Sequence, residues 1–386
     1  VSTIRWTENN TVRTARWRSA SERPLPRRVV VADDSTTAAT AHRLACTGTA
    51  LLWRGDYHNA RQLLRAVGRR IDQKPPRPGA TPAESFHLHR RARAHRARVL
   101  GMLLVLLEAD YSLALRRAPD VRLACAQAYG PPNGPLAVPL SELLGVIGAH
   151  QWRDRGVPVP ALDARIHPHW GVFSPVRGEY VDLVARVPLP PAAAAGPGPR
   201  TAFDLGTGTG VLAAVLARRG FDRVVATDIS PRALACAREN VDRLGLAGQV
   251  EVVGPTLFPA GRAALVVCNP PWLPATPMSV VEQGVYDPGG GMLRDFLTGL
   301  AGHLLPGGEG WLVLSDLAER LGLRAPGELP AAIAAAGLRV VDRVDTRPSH
   351  PRARDTADPL HAARAAEVTS LWRLRPAADP GGERVR

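Results

Sequence analysis

Lysine is almost missing from this chain: Lys74 is the only one in 386 residues, although basic side chains number 49 against 35 acidic ones. Arginine in place of lysine, with abundant Ala, Gly and Pro, is what a GC-rich coding sequence produces, so the amount of arginine alone carries no functional meaning. Cysteine is scarce as well. Cys46, Cys125, Cys236 and Cys268 lie far apart with no C-x-x-C pair, which argues against a zinc site or a disulfide framework and suits a reducing compartment. Cys268 reads as strand filling. The longest apolar run, Val99 to Leu107, is about half the ~20 residues a membrane helix needs. The first thirty residues are polar and arginine-rich, without the apolar segment of a secretory signal. A soluble, cytoplasmic protein is expected. His87, His89 and His95 have neither carboxylate nor cysteine at ligand spacing, so no metal is expected.

What is present is enough chain for two cores. An apolar content of 45% and a charged content of 22% describe a globular protein, and 386 residues exceed one typical domain. The charge is uneven. Residues 1–160 hold 25 Lys and Arg against 12 Asp and Glu, whereas residues 161–386 hold 24 against 23. The basic excess therefore belongs to the amino-terminal part.

Residues 1–30 read as a basic arm or a loosely ordered start. Alanine and leucine at helical spacing over 35–45 and 59–71 predict two amphipathic helices flanking a connection at 48–57. Thr81-Pro-Ala-Glu84 resembles a capping box, and the helix it opens carries His87-Leu-His-Arg-Arg-Ala-Arg-Ala-His-Arg-Ala-Arg98. That run is either a solvated face or a contact for a phosphate backbone. No aromatic series interleaves it, so base stacking gets no support. Residues 100–115 read as buried apolar structure, and 122–129 and 140–152 as further helices. The proline-punctuated stretch 157–175 is the expected domain boundary, and 188–199 a Pro/Ala/Gly linker.

Chemistry concentrates between Thr201 and Leu273. A short apolar run leads into Asp204-Leu-Gly-Thr-Gly-Thr-Gly210, and Val211 to Gly220 then shows an apolar face at helical spacing, a strand, tight loop and helix. The glycines at 206, 208 and 210 make G-x-G-x-G rather than the G-x-G-x-x-G of dinucleotide sites. Glycine permits φ > 0 and lets a ligand approach bare backbone. The next strand, Arg223 to Thr227, ends at Asp228, where an α/β crevice would present a carboxylate to ribose hydroxyls. Ser230 and Pro231 mark the following helix start and Gly245 its end.

These residues resemble the class I S-adenosylmethionine-dependent methyltransferases, with Asp204 to Gly210 as the glycine loop and Asp228 as the ribose acid. Ala264-Leu-Val-Val-Cys-Asn-Pro-Pro-Trp272 is similar to the N-P-P-Y/F/W motif of members that methylate planar nitrogens: protein-glutamine, guanine-N2 rRNA and adenine-N6 DNA enzymes. The resemblance covers about 172–375, and residues 1–160 resemble nothing specific. It implies S-adenosyl-L-methionine as cofactor, held by Asp204, Gly206, Thr207, Gly208, Gly210, Asp228, Ile229, Thr256, Leu257 and Asn269. Such enzymes usually carry an acid near Thr256 to reach the adenine amine, and here a threonine hydroxyl or backbone would have to substitute. Catalysis falls to Asn269, Pro270, Pro271 and Trp272. An amide or aromatic amine has a delocalised lone pair and is a poor nucleophile. Asn269 Oδ1 and the Pro270 carbonyl can accept its N–H bonds and aim the lone pair, two prolines stiffen the backbone, and Trp272 offers a flat face. Phe173, Pro175, Arg177, Tyr180 and Tyr286 are substrate-pocket candidates by the same resemblance. His167 and His169 read as structural histidines in a turn.

The expected architecture is α/β: a Rossmann-like, seven-stranded, mostly parallel sheet with helices on both faces over 161–375, preceded by a basic, mainly helical domain at 1–160 and followed by a tail at 376–386. The expected activity is N-methylation of a planar amide or amine nitrogen, with a translation-related macromolecule, protein glutamine or rRNA base, as partner. A metabolite N-methyltransferase and a non-catalytic nucleic-acid-binding protein with a degenerate fold are the alternatives.

Overall fold

A computed structural model describes residues 2–20, 24–193, 199–348, 356 and 358–377. The chain divides into two compact units, residues 1–80 with 84–154, and residues 81–83 with 155–386. Part of the linker read at 188–199 and the tail from 378 onward lie outside the described residues.

The first unit contains a six-stranded sheet that the sequence reading had not placed. Its strands are β1 (Thr3–Glu8), β2 (Thr11–Trp17), β3 (Arg28–Ala32), β4 (Thr49–Trp53), β5 (Leu103–Leu107) and β6 (Leu136–Pro139), in the order β1-β2-β6-β5-β4-β3. The supposed arm is a hairpin. Asn9 and Asn10 both take left-handed φ, 50° and 58°, as a two-residue hairpin turn requires, and Ile4 and Trp6 point into the core. The expected helices are present as α1 (Ala38–Cys46), α2 (Tyr57–Asp72), α3 (Pro82–Leu100), α4 (Arg122–Tyr129) and α5 (Leu140–Arg155). Thr37 caps α1 and Asp56 caps α2 through backbone N–H groups of Thr40 and His58. Glu84 reaches back to the Ala80 N–H at the start of α3.

The second unit opens with a short hairpin, β7 (Val157–Val159) and β8 (Ala164–Ile166), and with α6 (Glu179–Arg186). A Rossmann-like sheet follows: β9 (Thr201–Leu205), α7 (Val211–Arg218), β10 (Arg223–Thr227), α8 (Pro231–Arg243), β11 (Val250–Val253), β12 (Ala263–Cys268), α9 (Gly291–Leu300), β13 (Leu304–Ser315), α10 (Leu317–Arg320), α11 (Glu328–Ala335), β14 (Leu338–Thr346), α12 (His361–Ala365) and β15 (Thr369–Pro376). The seven strands run β11-β10-β9-β12-β13-β15-β14. The first five are parallel, and β15 lies antiparallel between β13 and β14. Parallel strands covered on both faces are apolar throughout, and all six residues of β12 are buried. The core is accordingly split in two, one cluster built on α6 and α7 and the other on α9 and α11.

Sheet order positions the site. From β9 the chain steps outward to β10 and β11, then returns to build β12 and β13 on the other side, so a topological switch point falls between β9 and β12. Such crevices, at the carboxyl ends of the strands, are where open α/β sheets bind ligands. The pairing is in register there: Leu205 lies opposite Thr227 on one side and Cys268 on the other. The residues that leave the sheet next are Gly206, Asp228 and Asn269, three of the expected site residues, side by side.

Candidate cofactor and acceptor site

At this switch point a cavity of about 700 Å³ opens, within the usual range of small-molecule sites. Gly206, Thr207, Gly208, Asp228, Ile229, Thr256, Leu257, Asn269 and Pro271 line it, as do Phe173, Tyr180 and Tyr286. Asp204, Gly210, Pro270, Trp272, Pro175 and Arg177 do not. Each of these six has a different employment.

Asp204 lies beneath the glycine loop. It is 1% exposed, and its Oδ2 accepts from Thr207 Oγ1 at 2.5 Å and from the Ala213 N–H at 2.9 Å. It braces the loop to the first turn of α7 instead of meeting a ligand. Burial drives its carboxyl up to about 6, with the neighbouring Asp228 adding to the rise. Gly210 caps α7 in the left-handed conformation, φ 81°, and packs against Ala237. Pro270 and Pro175 are buried. Arg177 is clamped between Glu179 and Glu367 at 2.8 and 3.0 Å, with its guanidinium over the Trp272 ring at 5.1 Å. Trp272 itself packs against both core clusters and donates its indole N–H to Asn269 Oδ1 at 2.8 Å. The flat face expected to meet a target group therefore meets the protein, and the indole orients the asparagine.

The loop glycines do what bare backbone permits. Gly206 and Gly208 have φ of 70° and 55°. A Cβ on Gly206 would collide with the Met292 methyl, while one on Gly208 would meet nothing within 4 Å and project into open space. Asp228 follows the end of β10 and accepts the Gly208 N–H at 3.0 Å through Oδ2 and the Ser230 N–H at 2.8 Å through Oδ1. Burial raises its pKa. Each oxygen keeps a lone pair for a hydroxyl donor. Ile229 is 72% exposed at the rim, and Leu257 also lines the cavity, so an apolar flat ring has two aliphatic surfaces to meet. Thr256 Oγ1 gives its proton to the Phe258 carbonyl at 2.8 Å. Its oxygen is left as an acceptor, the role the usual acid would fill towards an amine.

Two segments border the opening. Gly171 to Phe173 faces the 277–288 loop, where a Cβ on Gly284 would press against Phe173 at 2.7 Å and one on Gly171 against Val280 at 2.7 Å. The loop is laced to the Asn-Pro-Pro segment by Leu273 N to Val285 O at 3.1 Å and Asp287 N to Leu273 O at 2.9 Å. Sequence reasoning singles out Tyr286 of this loop but not Asp287, Met292 and Asp295, which also line the cavity. It also missed Asn240. This buried residue on the apolar face of α8 accepts the His167 N–H at 2.7 Å and lies within donating reach of the Thr209 carbonyl at 3.1 Å, tying the 167–173 strap to the glycine loop. A lone amide within an apolar helical stripe was the available signal. His167 and His169 are structural, the latter bound to Glu239 at 2.8 Å.

The residues present fit S-adenosyl-L-methionine: a backbone cradle that is open at Gly208 and bordered by Met292 at Gly206, a carboxylate at ribose height, an acceptor for an amine, and acidic walls for a cationic ligand. In its strand order and its Asn-Pro-Pro loop the second unit is similar to class I S-adenosylmethionine-dependent methyltransferase domains. Residues 163–319 match the family model described as methyltransferase small domain. Relatives include a ribosomal protein L11 methyltransferase of Pelotomaculum thermopropionicum, 38% identical over 37% of this chain and 39% of its own. A release factor glutamine methyltransferase of Cereibacter sphaeroides is 36% identical over 38% of this chain and 56% of its own. A ribosomal protein L11 methyltransferase of Sorangium cellulosum is 30% identical over 50% and 60%. The chain thus spans less than two thirds of these relatives.

Proposed function

We propose that the protein is an S-adenosylmethionine-dependent N-methyltransferase acting on a planar amide or amine nitrogen of a translation-related macromolecule. The observation that carries this reading is that Asn269 opens onto the same cavity as the glycine loop and Asp228. The cofactor supplies an electrophilic methyl on a sulfonium. The chain's own residues hold and aim: Asp228 receives ribose hydroxyls, Ile229 and Leu257 flank the base, and Thr256 accepts from its amine. Asn269 Oδ1, oriented by Trp272, accepts an N–H of the acceptor nitrogen. Bonding that N–H turns the lone pair towards the methyl and takes up positive charge as the new bond forms.

Asp228, Asp287 and Asp295 line the cavity, and no lysine or arginine does among the described residues. That balance favours a neutral acceptor over a phosphorylated one. A protein-glutamine amide is the first reading, supported by the relative named a release factor glutamine methyltransferase, while the ribosomal protein L11 methyltransferases support a translation protein more broadly. An rRNA base edge is the second, supported by the basic excess of residues 1–160. Calorimetric titration with S-adenosylmethionine, followed by transfer assays on ribosomes and release factors, tests the proposal. Asn269→Ala is expected to abolish transfer while leaving cofactor affinity within a few-fold. Full turnover in that variant would refute the nitrogen assignment, and absence of cofactor binding in the wild type would refute the enzyme.

A further inference from the structure

Residues 57–100 contain eleven Lys and Arg but only Asp72 and Glu84 as acids. This stretch, α2, a turn and α3, therefore holds nine of the chain's fourteen net positive charges. The two helices are joined where Arg96 of α3 meets Gly68 and Asp72 of α2. Arg96 bonds Asp72 in a fork at 2.8 and 3.1 Å, and Gly68 of α2 leaves room for its guanidinium, which would lie 2.8 Å from a Cβ there. That pairing uses one cation and one of the two acids. Arg65, Arg69, Arg70, Lys74, Arg77 and Arg91 are all exposed.

Helix α3 is not built as a core element. Its buried residues are Phe86 near one end and Val99 and Leu100 at the other, and the three turns between bury nothing. A helix that packs into a core carries an apolar stripe. Here the outward positions are His87, Arg91, His95 and Arg98, with alanines as spacers. The exposed arginines Arg91, Arg93 and Arg98 give this face a positive charge that a polyanion would meet.

We propose that this two-helix face grips the phosphate backbone of base-paired RNA. Its composition argues against the other polyanionic surfaces. A membrane surface would need large apolar side chains beside the cations, and none is exposed within 57–100. A single strand would need stacking platforms, but Tyr57 and Phe86, the only aromatic Tyr, Phe or Trp residues of the stretch, are 3% and 1% exposed. What remains is a row of cations without stacking or insertion groups, suited to regularly spaced phosphates. A 19-residue helix is about 28 Å long, enough to lie along several phosphates. The choice of RNA over DNA rests on the translation-related reading above; the electrostatic argument does not.

The test uses the full chain and a fluorescein-labelled 20-base-pair RNA duplex of arbitrary sequence, followed by anisotropy across a salt series. The expected result is binding at low salt whose logarithm falls linearly with log salt, with a slope of about 0.9 per phosphate neutralised. Arg65→Gln/Arg69→Gln/Arg91→Gln is expected to lower that slope by about 3 and to weaken binding at least tenfold, with the circular dichroism spectrum and S-adenosylmethionine affinity unchanged. The matching triple lysine variant should restore binding. A wild-type chain that ignores the duplex, or a glutamine variant that binds as well as wild type, overturns the proposal. So does equal or tighter binding of polyglutamate, which would mark an acidic-protein surface, or a clear preference for DNA duplex. Because cofactor titration is read separately, failure here leaves the methyltransferase reading standing.

Discussion

Replacing Asp204 by asparagine should make the cofactor-free protein more stable at neutral pH. Asp204 is 1% exposed, and its carboxyl is raised from 3.8 to about 6, chiefly by burial. A shift of about two units, at about 1.36 kcal/mol each, means that the ionised form is disfavoured by roughly 3 kcal/mol in the folded state. The sign follows from proton counting. Between about pH 4 and pH 6 the folded chain holds a proton that the unfolded chain has released, so this group's contribution falls as pH rises through that window and stays low above it. Both bonds to Asp204 converge on Oδ2. An asparagine can put its amide oxygen there, keep Thr207 and Ala213 bonded, and carry no charge. The gain has an upper bound of about 3 kcal/mol, which for a unit of this size corresponds to several degrees in melting temperature. Thermal melts of both proteins without cofactor, at a series of pH values between about 4.5 and 7.5, check this: the stability difference should grow with pH and level off above about 6. A variant destabilised equally at every pH would show that the brace needs the charge itself, and the reasoning would be wrong.

Other outcomes are specific to single contacts. Asp228→Ala should weaken S-adenosylmethionine binding by about 1 to 3 kcal/mol, read by calorimetry, because the residue also holds the Gly208 and Ser230 N–H groups. Trp272→Phe removes the indole donor to Asn269 while keeping an aromatic ring; kcat should fall roughly 2- to 10-fold with cofactor affinity unchanged, the yield of one neutral hydrogen bond of about 0.5 to 1.5 kcal/mol. Gly206→Ala requires φ of 70° and displacement of Met292; it should cost at least 1 to 2 kcal/mol for the left-handed conformation alone and lower the melting temperature.

Legibility followed periodicity and position. Strands β9, β10 and β11 of the second unit are legible because capped or glycine-stopped helices separate them, as with Ser230 and Gly245 around α8, whereas β12 follows β11 with no helix between. In the first unit Thr49–Trp53 and Leu103–Leu107 are buried runs without alternation, and such runs do not distinguish strand from helix. The β1–β2 hairpin was readable in principle, from Asn9-Asn10 between alternating residues, but its arginines drew the reading towards an arm. Within the site, the sequence does not say which of two acids meets the ligand. Asp204 precedes the last residue of β9 and turns into the core, whereas Asp228 lies just beyond β10 and reaches the cavity. Trp272 is oriented by Arg177 and α6, remote in sequence, so its inward packing could not be read from its motif.

The alignment of Leu205 with Thr227 and Cys268 has a consequence for how this chemistry can be altered. Because three groups emerge from neighbouring strands at one level, their spacing is inherited from the hydrogen-bonded ladder and owes little to the loops beyond. Remodelling 277–288 could therefore exchange one acceptor for another without retuning the donor side. Conversely, a substitution that slid β12 one step along β9 would bring Cys268 or Pro270 to the rim in place of Asn269, and would silence the enzyme from a position that no ligand touches.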